Sequence, residues 1–162
     1  MDVPPSLRCA FSIEQLMVCG FDDIHRLRGL NAMTHIANQN LNKGYWLNDA
    51  VAKQLISFMS FHWYPLVSSS LRVTNKFITN GAVFHSVFLR KGILQLILRL
   101  LYSPCTEYID KASSILLSLT TKSFKLFANS LDKALFNELV ELMFSPQAIV
   151  RNNSVGNHRG AC

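Results

Sequence analysis

A chain of 162 residues is long enough for one compact domain or for about three to four units of a helical array. Apolar residues make up 49% and charged residues 16%, with a mean hydropathy of +0.20, and this balance excludes a disordered chain. Sixteen Lys and Arg against ten Asp and Glu leave a net charge of +6, which favours acidic partners but is too diffuse to specify a nucleic acid.

In chain order, Ser6 to Cys19 reads as an amphipathic helix through Ile13 and Leu16. Asp22 to Asn38 is the next helix, with Asp22 as its N-cap, its side chain accepting from an otherwise unpaired amide. The pair Asp22-Asp23 is explained by capping and the helix dipole, without a metal ion. Asn38–Gly44 carries turn residues, and the stretch LNDAVAKQLISFMSF from Leu47 returns to a helical apolar period. Pro65 to Thr79 is a further helix, closed by the turn Asn80–Ala82. LRKGILQLILRLLYSP from Leu89 is amphipathic and stops at Ser103-Pro104, because proline cannot continue a helix. Thr106 to Thr121, with Thr106 as a candidate N-cap, places Ile109, Ala112, Ile115, Leu116 and Leu119 on one face. LDKALFNELVELMFSP from Leu131 stops at Ser145-Pro146, Ala148 to Gly156 begins another helix, and residues 157–162 read as a disordered tail.

Three of these segments superimpose when the chain is slid 42 residues along itself. Leu47, Leu89 and Leu131 coincide, as do Leu55, Ile97 and Leu139, then Phe58, Leu100 and Leu142, then Met59, Leu101 and Met143. The last three columns, spaced three and one apart, form one apolar stripe of a helix. Ala50, Gly92 and Ala134 also coincide, and a small residue is expected there because two backbones meet at a tight corner.

A 42-residue unit of a short, a medium and a long helix lies within the range of armadillo and HEAT arrays. Leu30–Met59 and Phe88–Leu119 resemble the armadillo family in detail: a third helix, a first helix ending near Ala-Gly, and a second helix ending Leu-Leu-x-Ser-Pro. The resemblance covers roughly residues 6 to 156. It implies an all-α, right-handed superhelical solenoid of about three to four repeats (roughly 6–38, 39–80, 81–122 and 123–156), forming a single domain over 1–156. In this register the terminal repeats are incomplete, so the expectation is a segment of a longer array, or ends that pair with another chain.

In that family the third helices line a concave groove that holds extended peptides beside a ladder of Trp and Asn. By register the Trp positions here are Asn31, Arg72 and Ser114, and the Asn positions are His35, Lys76 and Ser118. None keeps the ladder residue, so the aromatic slots for basic side chains are absent. The replacement is mostly basic: Arg28, Asn31 and His35, then Arg72 and Lys76, then Lys111, Ser114 and Ser118. Spacings of three and four put each set on one helix face. The expected function is a non-enzymatic adaptor binding an acidic or phosphorylated protein segment along this groove, with RNA binding by an α-solenoid as the alternative.

Aromatic residues are second candidates for contact: Trp46 and Phe61 are expected to pack between helices, while Trp63 and Tyr64 at a helix end are equally suited to core or interface. Catalytic, metal and cofactor sites are not expected. His25, His35, His62 and His85 form no H-E-x-x-H, and the glycines form neither G-x-G-x-x-G nor a P-loop. Cys9, Cys19, Cys105 and Cys162 share no C-x-x-C spacing and no secretory signal precedes Pro4, so a reduced cytoplasmic or nuclear setting is expected. The Asn152-Asn153-Ser154 sequon is read as a chance match, and no apolar run is long enough to span a membrane.

Overall fold

The computed structural model describes residues 22–38 and 48–144, and no strand occurs among them. In chain order the elements are α1 (Asp23–Asn38), α2 (Asp49–Met59), α3 (Tyr64–Asn80), a 3-10 turn (Ala82–Phe84), α4 (His85–Arg90), α5 (Ile93–Leu101), α6 (Thr106–Lys122), α7 (Phe124–Ser130) and α8 (Lys133–Phe144). The all-α expectation holds, and the three long helices lie within a residue of their expected bounds. The helices expected at Ser6–Cys19 and Ala148–Gly156, the tail, Trp46 and Ser145-Pro146 fall outside the described residues.

Side-chain caps set three of the helix starts. Asp22 caps α1 as expected, its Oδ1 accepting from the His25 amide at 2.9 Å. Asn48, in extended conformation, does the same for α2, accepting from the Val51 amide at 2.9 Å, and Asp132 caps α8 through the Leu135 amide at 2.7 Å. Thr106 does not cap α6. The N-cap position is Cys105, whose side chain makes no capping bond, while its amide is held by the Ser103 hydroxyl at 3.1 Å. Pro65 sits in the first turn of α3, where a missing amide hydrogen costs nothing.

The helices pack by length. The long helix α3 lies against both α1 and α6, so it is buried on more than one side: Leu66, Val67, Leu71, Val73, Phe77 and Ile78 are all inaccessible or nearly so. The medium helices α2, α5 and α8 pack in succession, α5 touching each of the other two. The short helix α4 packs on α7. Leu30, Met33, Phe58, Phe77, Phe88 and Ile97 fill the space between these layers, and Phe77 meets Phe84 edge to face at 5.2 Å. Fully burying side chains of this size contributes about 1.5–3 kcal/mol each.

The small-residue column has a different cause from the one expected. Ala50 and Ala134 are exposed, and a Cβ added at Gly92 would meet nothing within 4 Å. Gly92 instead has φ +83°, and this left-handed residue turns the chain from α4 into α5. Backbone conformation, and not crowding, explains glycine at that position.

His85 is fully enclosed, with no exposed surface. Its Nε2 lies 2.8 Å from the Ile78 carbonyl and its Nδ1 2.7 Å from the Ser123 hydroxyl. A carbonyl only accepts, so Nε2 carries a proton in this arrangement, and the Ser123 hydroxyl, able to donate or accept, pairs with Nδ1. The ring thereby satisfies a carbonyl in the last turn of α3 and ties it to the α6–α7 junction. Cys105, also buried, is disulfide-bonded.

Candidate functional site

The eight residues read as a binding face lie on helices α1, α3 and α6, which differ in how far they expose them. Arg28, Asn31 and His35 are exposed on α1, and Arg72 and Lys76 are exposed on α3. On α6 the stripe is less accessible: Lys111 and Ser114 are half-buried, and Ser118 is 8% exposed, which leaves it little surface to offer a partner. Asp110, Ser113 and Leu117 are the exposed residues next to them in sequence, so the α6 part of the face is less basic than register implied.

A carboxylate already occupies part of this surface. Glu107, in the first turn of α6, accepts from Arg72 Nε at 2.8 Å and from the Ser68 hydroxyl at 2.9 Å on Oε1, and from the Tyr64 hydroxyl on Oε2. Burial alone would push its carboxyl up, but the hydrogen bonds from Tyr64, Arg72 and Ser68 outweigh it and hold the group below its ordinary value. The Tyr64 ring stacks on Tyr108 at 6.0 Å, closing one side of the cluster. Burial, with the nearby Tyr64 and Glu107, pushes the Tyr108 phenol up.

Toward the other end of the same helix pair, Lys122 Nζ donates to the Thr79 carbonyl at 2.6 Å. Polar bonds therefore pin α3 to α6 at both ends. Lys76 lies on α3 between them and has no hydrogen-bond or ion-pair partner among the described residues, as is also true of Arg28 and Lys111. Arg72 is thus a structural cation as well as a candidate contact, while Lys76 has its whole charge to offer.

Glu107 is the residue that the sequence reading missed. Tyr64, Ser68 and Arg72 recur every four residues and form one stripe of α3, a signal visible in the sequence. Their acceptor lies 35 to 43 residues away on another helix, and only the packing of α3 on α6 pairs them.

The remaining candidates separate from this face. Phe61, expected in the core, is 44% exposed and stacks on Phe58, with the Arg26 guanidinium 6.0 Å from its ring centroid. Trp63 is also exposed, at the start of α3. Asp49 binds Arg90 at 2.6 Å and Lys91 at 3.4 Å, and the hydrogen bond from Arg90 leads the effects that hold its carboxyl below the usual range. His25 bonds Asp22, and His62 is exposed. Among the described residues no group of three or more His, Cys, Asp or Glu is placed to hold a metal ion, and no helix is long and apolar enough to cross a membrane.

An open apolar groove of about 510 Å³ runs between α7 and α8, lined by Phe124, Phe127, Ala128, Leu131, Phe136 and Leu139. The fold is all-α, with a polar, partly basic face on its long helices and an apolar face at its C-terminal helices. The chain matches no protein-family model, no curated protein and no solved structure.

Proposed function

We propose that the protein is a non-enzymatic scaffold of the armadillo type, a right-handed α-solenoid that binds an acidic or phosphorylated protein segment across α1, α3 and α6. Support for the architecture comes from the packing of helices on their counterparts 42 residues away: α1 on α3, α2 on α5, α4 on α7, α3 on α6 and α5 on α8. A helical array brings equivalent positions into neighbouring rows by this pairing.

The observation that carries the functional reading is the Glu107 cluster beside an unpaired Lys76. The α3 stripe already holds one carboxylate through a cation and two hydroxyls, and Lys76 lies one turn further along with no partner among the described residues. A peptide carboxylate or phosphate near Lys76 gains a charge-assisted hydrogen bond without breaking the existing cluster.

Charge reversal at Arg28 and Lys76 tests this better than reversal at Arg72, which would also cut the α3–α6 tie. With a fluorescent Glu-rich peptide and its phosphoserine version, the double variant is expected to bind about tenfold more weakly at low salt and to show a flatter salt dependence. Unchanged affinity places the site elsewhere. RNA binding draws on the same net charge but needs stacking platforms, and none of the eight residues of this face is an aromatic base-stacking ring of the Trp, Tyr or Phe kind. A single-stranded RNA that outcompetes both peptides would favour that reading over ours.

A further inference from the structure

Helix α8 differs from its counterpart α5 in one respect that its sequence does not explain. In α5, Ile93, Leu94, Ile97 and Leu98 are at most 4% exposed, in a helix packed against α2, α4, α6 and α8. The residues 42 positions later are equally apolar: Leu135, Phe136, Leu139 and Val140. Yet no residue of α8 is buried, and Phe136 is 53%, Met143 68% and Phe144 77% exposed.

Leu135 and Leu139 pack partly on the core, so α8 spends one side of its apolar face on its own chain. The other side, Phe136, Val140 and Met143 at spacings of four and three, is a second stripe that runs on into the groove beside Phe124, itself 68% exposed. A stripe of this kind on a helix end-on to a stack is an interaction surface, not an ordinary solvated face.

The charges along that stripe identify what fits it. Lys133, Asn137 and Glu141 recur every four residues along one flank, all exposed, and neither charged residue has a partner among the described residues. When two such helices cross antiparallel about a dyad at Asn137, each Lys133 comes opposite the other copy's Glu141, four residues to either side of the crossing. A dyad places the same flank of both helices on the same side, so both ion pairs form at once and the apolar stripes interleave between them. In a parallel pairing the dyad puts the two Lys133–Glu141 flanks on opposite sides of the interface, so neither ion pair forms. We propose that this face is the docking site for a second copy of the chain, α8 packing antiparallel on α8. This goes beyond the peptide-binding reading and does not depend on it.

Sedimentation equilibrium of the full chain tests the proposal by charge exchange. The native chain is expected to dimerise with concentration. K133E and E141K each oppose like charges at both symmetric contacts, and each should weaken the dimer about tenfold. K133E combined with E141K restores opposite charges with the signs exchanged, and should recover affinity to within about threefold. F136E, on the exposed side of the stripe, should leave only monomer while circular dichroism shows unchanged helicity. A native chain that stays monomeric at every concentration overturns the proposal and gives the face to another occupant. A dimer indifferent to both single reversals, or a double variant no tighter than the singles, overturns it as well. Binding of the acidic peptide by these variants reads out the other proposal separately, since none of the three positions lies on α1, α3 or α6.

Discussion

Glu107 shows how a single side chain ties the stability of two helices to the surface we propose for binding. Its carboxylate is one-fifth exposed and accepts from three donors on α3, while Arg72 is 56% exposed and therefore partly screened by water. Glu107→Gln keeps the shape but removes the charge, and is expected to lower the unfolding free energy at neutral pH by about 1–2 kcal/mol. The carboxyl is held below its ordinary value of 4.5, so its stabilisation is complete above that pH. It is lost as pH falls through the lower, folded-state value. Urea unfolding of the native chain and the variant should therefore give curves that are separated at neutral pH and converge in acid. A separation that persists unchanged at low pH would mean that the charge contributes nothing. Residues of this kind were only half legible: the donor stripe Tyr64, Ser68 and Arg72 is written into the spacing of α3, whereas nothing in the sequence marks Glu107 as its acceptor.

At the scale of elements, helix identity was readable and the reasons for some boundaries were not. The apolar periods of Asp49–Met59, Ile93–Leu101 and Thr106–Lys122 are strong enough that tertiary context did not need to override them. The N-cap of α1 at Asp22 was readable from residue type, but that of α6 was not, since Thr106 has the right chemistry one residue too late. The Gly92 column misled because coincidence with Ala50 and Ala134 implied crowding, whereas a positive φ leaves no trace in an alignment of a chain with itself. The two causes make different predictions. With open space around a Cβ and φ at +83°, Gly92→Ala is expected to cost about 1 kcal/mol, and Gly92→Asn less, because Asn tolerates the left-handed region better. Crowding would reverse that order, with the larger Asn the more destabilising, and thermal unfolding of the two variants distinguishes them.

Across the whole molecule, burial is graded along the chain. Helices α3 and α5 are covered by neighbours on more than one side, and α8 has no residue that is fully covered. Local opening free energy follows such cover, so hydrogen exchange is expected to be slowest in α3 and α5 and fastest in α8 at low protein concentration. Uniform protection across all three would contradict a graded stack and indicate a single cooperative core. The long-helix face illustrates the same point for the candidate site. Its residues were identified by register as one surface, and the packing of α3 on α6 then divided them, Ser118 turned largely inward, Arg72 tied to Glu107, and Lys76 left with its charge unpaired among the described residues.

By itself the sequence determined that the described residues are helical, where their long and medium helices lie and which of those faces are apolar, because these follow from periods of three and four residues that are local by nature. It also determined the 42-residue recurrence. Tertiary structure alone decided which cations are paired, which histidine is enclosed, and which apolar faces find cover. Those outcomes depend largely on contacts between helices far apart in sequence, and two helices with the same pattern, α5 and α8, differ in burial because, among the described residues, α5 has neighbours on more sides.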